Sequence, residues 1–186
     1  MKKLFIITVI LIQASLYQAC NNSKEDKKVE KEAVLVNESD VDESGANFIK
    51  QASRHGLMAI EFSKIAQRQA SSPEVKQFAE RMISDHTRYY NALKKMATEK
   101  YILLPIKMEQ EDVDKLNELR KLKGTAFDES YMKAIISSHE TAVESFEMGA
   151  RNRDREVNKF AGGKLDSIKI NFNTAKSIFN NLVVNR

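Results

Sequence analysis

Apolar side chains recur at steps of three and four residues between residues 44 and 183, and this spacing constrains the fold more than any other feature. Side chains spaced in this way lie on one stripe of an α-helix. Only Pro73 and Pro105 interrupt this part of the chain, and the alternation of β-branched residues that is typical of strands is scarce. The pattern therefore predicts an all-α domain over residues 44–183.

The helices can be placed from this spacing and from local start and stop signals. The motif Ser71-Ser72-Pro73-Glu74 is typical of a helix start, with a capping serine, a proline in the first turn and an acid near the positive end. Gly162 and Gly163 predict a kink in the last helix, because glycine weakens a helix interior. The helices are expected over about residues 44–70, 73–100, 109–122, 126–152 and from 154 onward. Two long hairpins joined by a crossover with a short helix predict a ferritin-like four-helix bundle.

The N-terminus has the layout of an export signal. Two lysines precede an apolar run over residues 4–12, which is followed by small and polar residues up to Ala19. The run is shorter than the roughly 20 residues that a membrane-spanning helix needs. Cys20, the only cysteine, follows directly, where a lipoprotein signal places its acylated thiol. We predict that residues 1–19 are removed and Cys20 is lipidated; cleavage that leaves a free Cys20 thiol is the alternative.

Residues 20–43 are rich in charge and contain no aromatic side chain, so they bury too little surface to order themselves. They are predicted to form a flexible tether. Lys24-Glu25-Asp26, just after the cysteine, is similar to a signal that directs lipoproteins to the outer membrane. The chain is thus expected to be exported and held at the outer membrane through Cys20, facing the periplasm or the cell surface.

The charge balance excludes some functions. The whole chain has a formal net charge of +4, and removing Lys2 and Lys3 with the signal lowers it to about +2. A chain this balanced lacks the clustered basic face of nucleic-acid binders. It also lacks a nucleophile with its base, a phosphate loop or a Cys and His zinc pattern, so the sequence favours a protein that is not an enzyme.

All three histidines, His55, His86 and His139, lie on apolar stripes and near the midpoints of three different predicted helices. Antiparallel packing should bring them into one layer of the bundle. Neutral imidazole binds zinc, copper, iron and nickel, so the layer is a candidate transition-metal site. The alternative is a layer of hydrogen-bonded histidines without a metal. Di-iron ferroxidase or oxidase chemistry is disfavoured, because Ile83 and Ile136 stand where a Glu-x-x-His motif needs glutamates.

Several stretches resemble one family of exported bacterial proteins, catalogued as domain of unknown function 4142. The stretches are Gly56 to Glu61, Ser71 to Ala79, Met82 to His86, and Phe127-Asp128 through Tyr131 to His139. The resemblance covers about residues 45–182 and implies a ferritin-like fold and an envelope location, with no established activity. The family often carries a histidine where this chain has Asn171, which weakens any metal site carried over from it.

Glu61 is the acid that the resemblance favours as a further metal ligand. It follows His55 by six residues and therefore points about 120° away on the helix, so the two side chains cannot face one centre. Two hypotheses remain. The chain is either a non-enzymatic envelope lipoprotein with an unknown protein partner, or a metal-handling bundle that uses His55, His86 and His139, with Glu61 as a further candidate.

Overall fold

The computed structural model describes residues 42–184, and this part of the chain contains five α-helices and no strand. The helices are α1 (Glu43–Gln69), α2 (Pro73–Glu99), α3 (Gln110–Lys121), α4 (Gly124–Gly149) and α5 (Arg155–Val184). The predicted all-α fold is confirmed. None of these five helices is long and apolar enough to cross a membrane. The predicted signal, the lipidation site at Cys20 and nearly all of the tether lie outside the described residues.

The helices form two antiparallel hairpins, α1 with α2 and α4 with α5. Packing of α1 against α4 joins the hairpins, and the short α3 lies on both of these helices. This arrangement confirms the four-helix bundle with a short helix in the crossover. α5 continues as a helix through Gly162 and Gly163, so the predicted weak point does not end it.

Short polar side chains cap the helices where the sequence changes from loop to helix. Asp42 accepts a hydrogen bond from the Gly45 amide at 2.7 Å, ahead of α1. Ser72 caps α2, as its motif predicts. Asp154 accepts from the Val157 amide at 3.0 Å, and it is therefore a cap ahead of α5 rather than the first residue of that helix. Such caps satisfy backbone amides that have no partner within the helix.

The apolar core is divided into two clusters along the bundle. One lies toward the α1 to α2 turn and includes Phe62, Phe78 and Tyr131. The other lies toward the start of α1 and includes Phe48 and Phe146, whose rings pack edge to face with centroids 5.2 Å apart. Between the clusters lies a layer with polar side chains, and it is this layer that contains the histidines.

Asp128 ties the two hairpins together at the end of the bundle. It is only 1% exposed, and its carboxylate accepts hydrogen bonds from the backbone amides of Ser71 (2.9 Å) and Ser72 (2.8 Å) and from the Ser71 hydroxyl. Ser71 and Ser72 lie at the start of α2, where a negative charge is stabilised by the helix dipole. The Phe127-Asp128 pair of the family pattern therefore has a structural role: it fixes α4 to the first hairpin.

Gly149 is the point of closest approach between the ends of α1, α4 and α5. A Cβ atom at this position would lie 2.7 Å from the Phe48 ring and 2.8 Å from the Ala161 Cβ. We expect Gly149→Ala to lower the free energy of unfolding by about 2 kcal/mol, because added volume forces packed neighbours apart. Urea denaturation measures this change.

Gly163 provides the matched control for that substitution. It is exposed within α5, and a Cβ atom there would meet nothing within 4 Å. Gly163→Ala should raise the free energy of unfolding by about 0.5 to 1 kcal/mol through helix propensity alone. Equal effects of the two substitutions would show that the close approach at Gly149 is not a packing constraint.

Candidate metal site

Two histidines meet inside the bundle, in the layer between the two apolar clusters. His86 of α2 and His139 of α4 are 3% and 1% exposed, and their Nε2 atoms lie 3.3 Å apart. Their ring planes cross at 82° with centroids 5.2 Å apart. Met82 and Ile135, one helical turn before each histidine, belong to one cluster, and Tyr89 and Ala142, just after each, belong to the other. We call His86 and His139 the histidine pair.

The helices that carry the pair belong to different hairpins. α2 packs mainly against α1, and α4 packs against α5 and α1. The two imidazoles therefore reach each other through the interior of the bundle and bridge the two hairpins. Residues of the pair lie 53 positions apart in the chain, so their meeting depends on the tertiary structure.

The hydrogen bonds assign the tautomers of the pair. His139 donates from Nδ1 to the backbone carbonyl of Ile135 at 3.1 Å. A neutral imidazole has one N–H group, so Nε2 of His139 carries a lone pair that points toward His86. In the metal-free pair His86 then donates from its own Nε2. A backbone carbonyl that fixes the far nitrogen of a histidine is the usual support of a metal-binding imidazole.

Burial keeps the pair uncharged at neutral pH. Loss of hydration lowers the pKa of His139 from its ordinary 6.5 to about 4, although its hydrogen bond to the Ile135 carbonyl acts in the opposite direction. Burial also lowers the pKa of His86 well below 6.5, and the nearby His139 and His55 lower it further. Neutral imidazole is the form that binds metals, so no proton has to be displaced from a cationic ring.

His55 lies beside the pair and not in it. It is half-buried on α1, and its Nδ1 atom lies 3.4 Å from the hydroxyl oxygen of Ser138, the residue before His139. Burial lowers the pKa of His55, and Arg54 adds to this shift, whereas Asp112 opposes it. The three histidines thus share one region of the bundle, as the sequence predicts, but only two of them are in direct contact.

Glu61 is placed apart from the histidine pair. Its carboxylate forms an ion pair with Lys64 at 2.7 Å, and its side chain is 39% exposed. The structure therefore separates Glu61 from His55 on α1, in agreement with the 120° difference. Within residues 42–184, no group of three or more His, Cys, Asp or Glu side chains is arranged to hold a metal ion. A metal ion at the histidine pair would therefore have two imidazoles as its protein nitrogen ligands.

A polar cleft that sequence patterns did not indicate opens beside His55. Its volume is about 430 Å³, and it lies between α1, α3 and α4. The lining combines hydroxyl, charged and apolar groups: Gln51, Arg54, His55, Met58, Asp112, Lys115, Ala134, Ser137, Ser138 and Thr141. These residues come from three helices and share no motif, so no signal in the sequence could have grouped them.

Asn171 lies on α5, at the position where the family resemblance implies a histidine. Its Nδ2 atom is buried and has no hydrogen-bond partner among the described residues. The chain thus has an amide here in place of an imidazole, and the three histidines described above are its full set.

The fold and the site together define an all-α bundle with a buried histidine pair between two apolar clusters. The chain belongs to the family described as Domain of unknown function (DUF4142), whose model matches residues 31–178. This match confirms the family that the sequence motifs indicate. No curated protein matches the chain.

Solved structures of other proteins are similar to this bundle. A DUF305 fragment from Deinococcus radiodurans has a TM-score of 0.68 at 12% identity, and the match covers 76% of this chain and 98% of the fragment. A DUF305 protein from Streptomyces coelicolor has a TM-score of 0.65 at 14% identity, covering 75% and 92%. CopM in its Cu(II)-bound form has a TM-score of 0.63 at 21% identity, covering 74% and 96%. At these identities the likeness shows the helical fold alone.

Proposed function

We propose that the protein is an exported lipoprotein whose helical bundle binds copper, with His86 and His139 as the ligands. One observation carries this proposal: the hydrogen bond from His139 Nδ1 to the Ile135 carbonyl leaves a lone pair on Nε2, aimed at the second imidazole. His139 is thus held in the tautomer that a metal ion requires, with its free lone pair facing the second imidazole.

The distances within the pair fit a bound ion. A metal that bonded both Nε2 atoms at about 2.0 to 2.1 Å would set these atoms about 3.3 to 4.2 Å apart, from a tetrahedral angle with added ligands to the linear arrangement of two ligands alone. The separation of 3.3 Å falls in this range. Because of this distance, little movement of the helices is needed. The proton on His86 has to move from Nε2 to Nδ1 when the metal replaces the hydrogen bond.

The charge of the surroundings favours a monovalent ion. The buried carboxylate of Asp128 is engaged by Ser71 and Ser72, and it lies about 16 Å along α4 from His139. Two neutral imidazoles do not compensate the charge of a bound ion. Because the cost of burying an ion rises with the square of its charge, a divalent ion costs about four times as much as a monovalent one. Cu(I) is therefore the ion that this site suits best, and imidazole is one of its ligands.

A protein of similar fold has been solved with copper bound. CopM has been solved in Cu(II)-bound and Cu(I)-bound forms, and its bundle has TM-scores of 0.63 and 0.62 to this chain. The pair also contrasts with a di-iron centre, which needs carboxylates from several helices. Ile136, three residues before His139, is apolar, so ferroxidase chemistry stays disfavoured.

The place of action is proposed from the N-terminal sequence. The signal-like residues 1–19, the single Cys20 and the charged stretch that follows support export and anchoring at the outer membrane by a lipid. A second role, as an envelope module that binds an unknown protein partner, is compatible with the same anchor. Copper binding is the preferred role because the geometry of the histidine pair supports it directly.

Copper binding is tested by titrating the full chain with Cu(I) against a chromophoric chelator under anaerobic conditions. All samples carry Cys20→Ser, because a free thiol is itself a strong Cu(I) ligand. We expect one bound ion per chain. The double variant His86→Leu/His139→Leu keeps the volume of the pair and should weaken binding by about 100-fold or more, since even second-sphere losses weaken metal sites 10- to 100-fold.

Ser145→Ala serves as the matched control for the titration. Ser145 is a buried polar residue on α4, and it lies six positions after His139. This variant should bind copper as the unmodified chain does. A folded double-leucine variant that still binds one Cu(I) with unchanged affinity would overturn the proposal, as would a chain that takes up no copper.

A further inference from the structure

The histidine pair is enclosed, so an ion needs a route to reach it. His86 and His139 are 3% and 1% exposed. The polar cleft beside them is open to solvent and contains Ser138, which directly precedes His139 in the chain. The cleft therefore ends close to the backbone that carries one of the two ligands.

His55 belongs to the cleft and lies near the pair. It lines the cleft, and its Nδ1 atom lies 3.4 Å from the Ser138 hydroxyl oxygen. It is also near enough to influence both buried imidazoles electrostatically. Half-buried and able to bind a metal through its imidazole, it is the one histidine that faces both solvent and the interior of the bundle.

The positive side chains of the cleft are paired with acidic ones, so they do not repel a cation strongly. Arg54 pairs with Glu109 at 3.4 Å, and Lys115 pairs with Glu111 at 2.6 Å, so each positive group has an acidic partner. Asp112 adds a half-buried carboxylate to the same lining. Met58 contributes a thioether group, which is a soft ligand that suits Cu(I).

We propose that the cleft is the entrance for copper, and that His55 takes the ion from solvent and passes it to the histidine pair. This inference rests on the proposed function. The transfer is a ligand exchange without a change of oxidation state: the bond from copper to His55 breaks as bonds to His86 and His139 form. His55 is then a transient ligand that sets the rate of loading and release rather than the final affinity.

The test follows Cu(I) transfer from the chelator by stopped-flow absorbance, in the full chain with Cys20→Ser. We expect His55→Gln to slow loading by about tenfold, with release slowed to match, so that the equilibrium affinity changes little. Ser137→Trp places a large side chain in the cleft from an exposed position on its lining, where the fold tolerates it, and it should slow loading in the same way. Ser145→Ala is again the control and should load at the unmodified rate.

The possible results distinguish copper entry through the cleft from copper binding at the histidine pair. Loss of equilibrium copper binding only in the double-leucine variant, together with slow loading of His55→Gln and Ser137→Trp, would support both proposals. A chain that binds copper at the pair while both of these variants load at the unmodified rate would overturn the route alone. A chain that binds no copper at the pair would overturn the proposed function instead.

Discussion

Replacing Asp128 with alanine is expected to lower the free energy of unfolding by about 3 kcal/mol, the largest effect of any single substitution proposed for this protein. The change removes three hydrogen bonds to a carboxylate and leaves the amides of Ser71 and Ser72 without their partner. Hydrogen bonds to charged groups contribute about 1.5 to 3 kcal/mol each. The expected loss is smaller than the sum for three bonds, because water can bind some of the freed donors at this end of the bundle. Urea denaturation followed by circular dichroism measures the change.

Two further variants divide this effect into parts. Ser71→Ala removes only the bond to the hydroxyl, so it should destabilise the fold by about 1 kcal/mol. Asp166 is exposed on α5, and Asp166→Ala should change stability by no more than about 0.5 kcal/mol. An Asp128→Ala variant as stable as Asp166→Ala would contradict the role of Asp128 as the link between the hairpins.

Lowering the pH from 7 to 5 is expected to destabilise the metal-free protein by about 2 kcal/mol through His139 alone, and His86 adds to this loss. Burial lowers the folded pKa of His139 to about 4, whereas the same side chain titrates near 6.5 in the unfolded chain. Between these values the unfolded chain binds a proton that the folded chain does not bind. Stability therefore falls as the pH decreases from 6.5 toward 4, by about 1.4 kcal/mol per pH unit for one such group.

The pH window distinguishes the imidazoles from the acidic groups. Hydrogen bonds or ion pairs hold the pKa values of Asp42, Glu111, Glu147 and Asp154 below their ordinary 3.8 or 4.5, so the stability that depends on them is lost at lower pH. Urea midpoints measured at pH 7, 6 and 5 should decrease steadily. In the double-leucine variant, the urea midpoint should depend on pH only through the smaller contribution of His55. An equal dependence on pH in this variant and in the unmodified chain would refute the assignment to the pair.

Much of the fold could be predicted from local features. The motif at Ser72 and Pro73 placed the start of α2 at the observed residue, because capping and the fixed φ of proline are properties of a few neighbouring residues. The glycines at 162 and 163 do not end α5, which continues through both. Helix propensity is a weak preference that tertiary packing overrides.

The candidate site was predicted only in part. The position of each histidine near the middle of a helix predicted a shared layer, and the structure places all three in one region. The direct contact between His86 and His139 could not be predicted, because it depends on the rotation of α2 and α4 about their axes. The cleft, and the exclusion of Glu61 from the pair, depend on the same rotations and on where α3 lies.

The sequence by itself determined the all-α class, the approximate helix boundaries, the family and the height of the histidines in the bundle. These properties follow from apolar periodicity and from motifs that span a few residues. Tertiary structure decided which imidazoles face each other, which tautomer His139 adopts, and that Asp128 joins the hairpins. Each of these depends on atoms more than 50 residues apart or on a backbone carbonyl whose direction is set only when the helix has formed and packed.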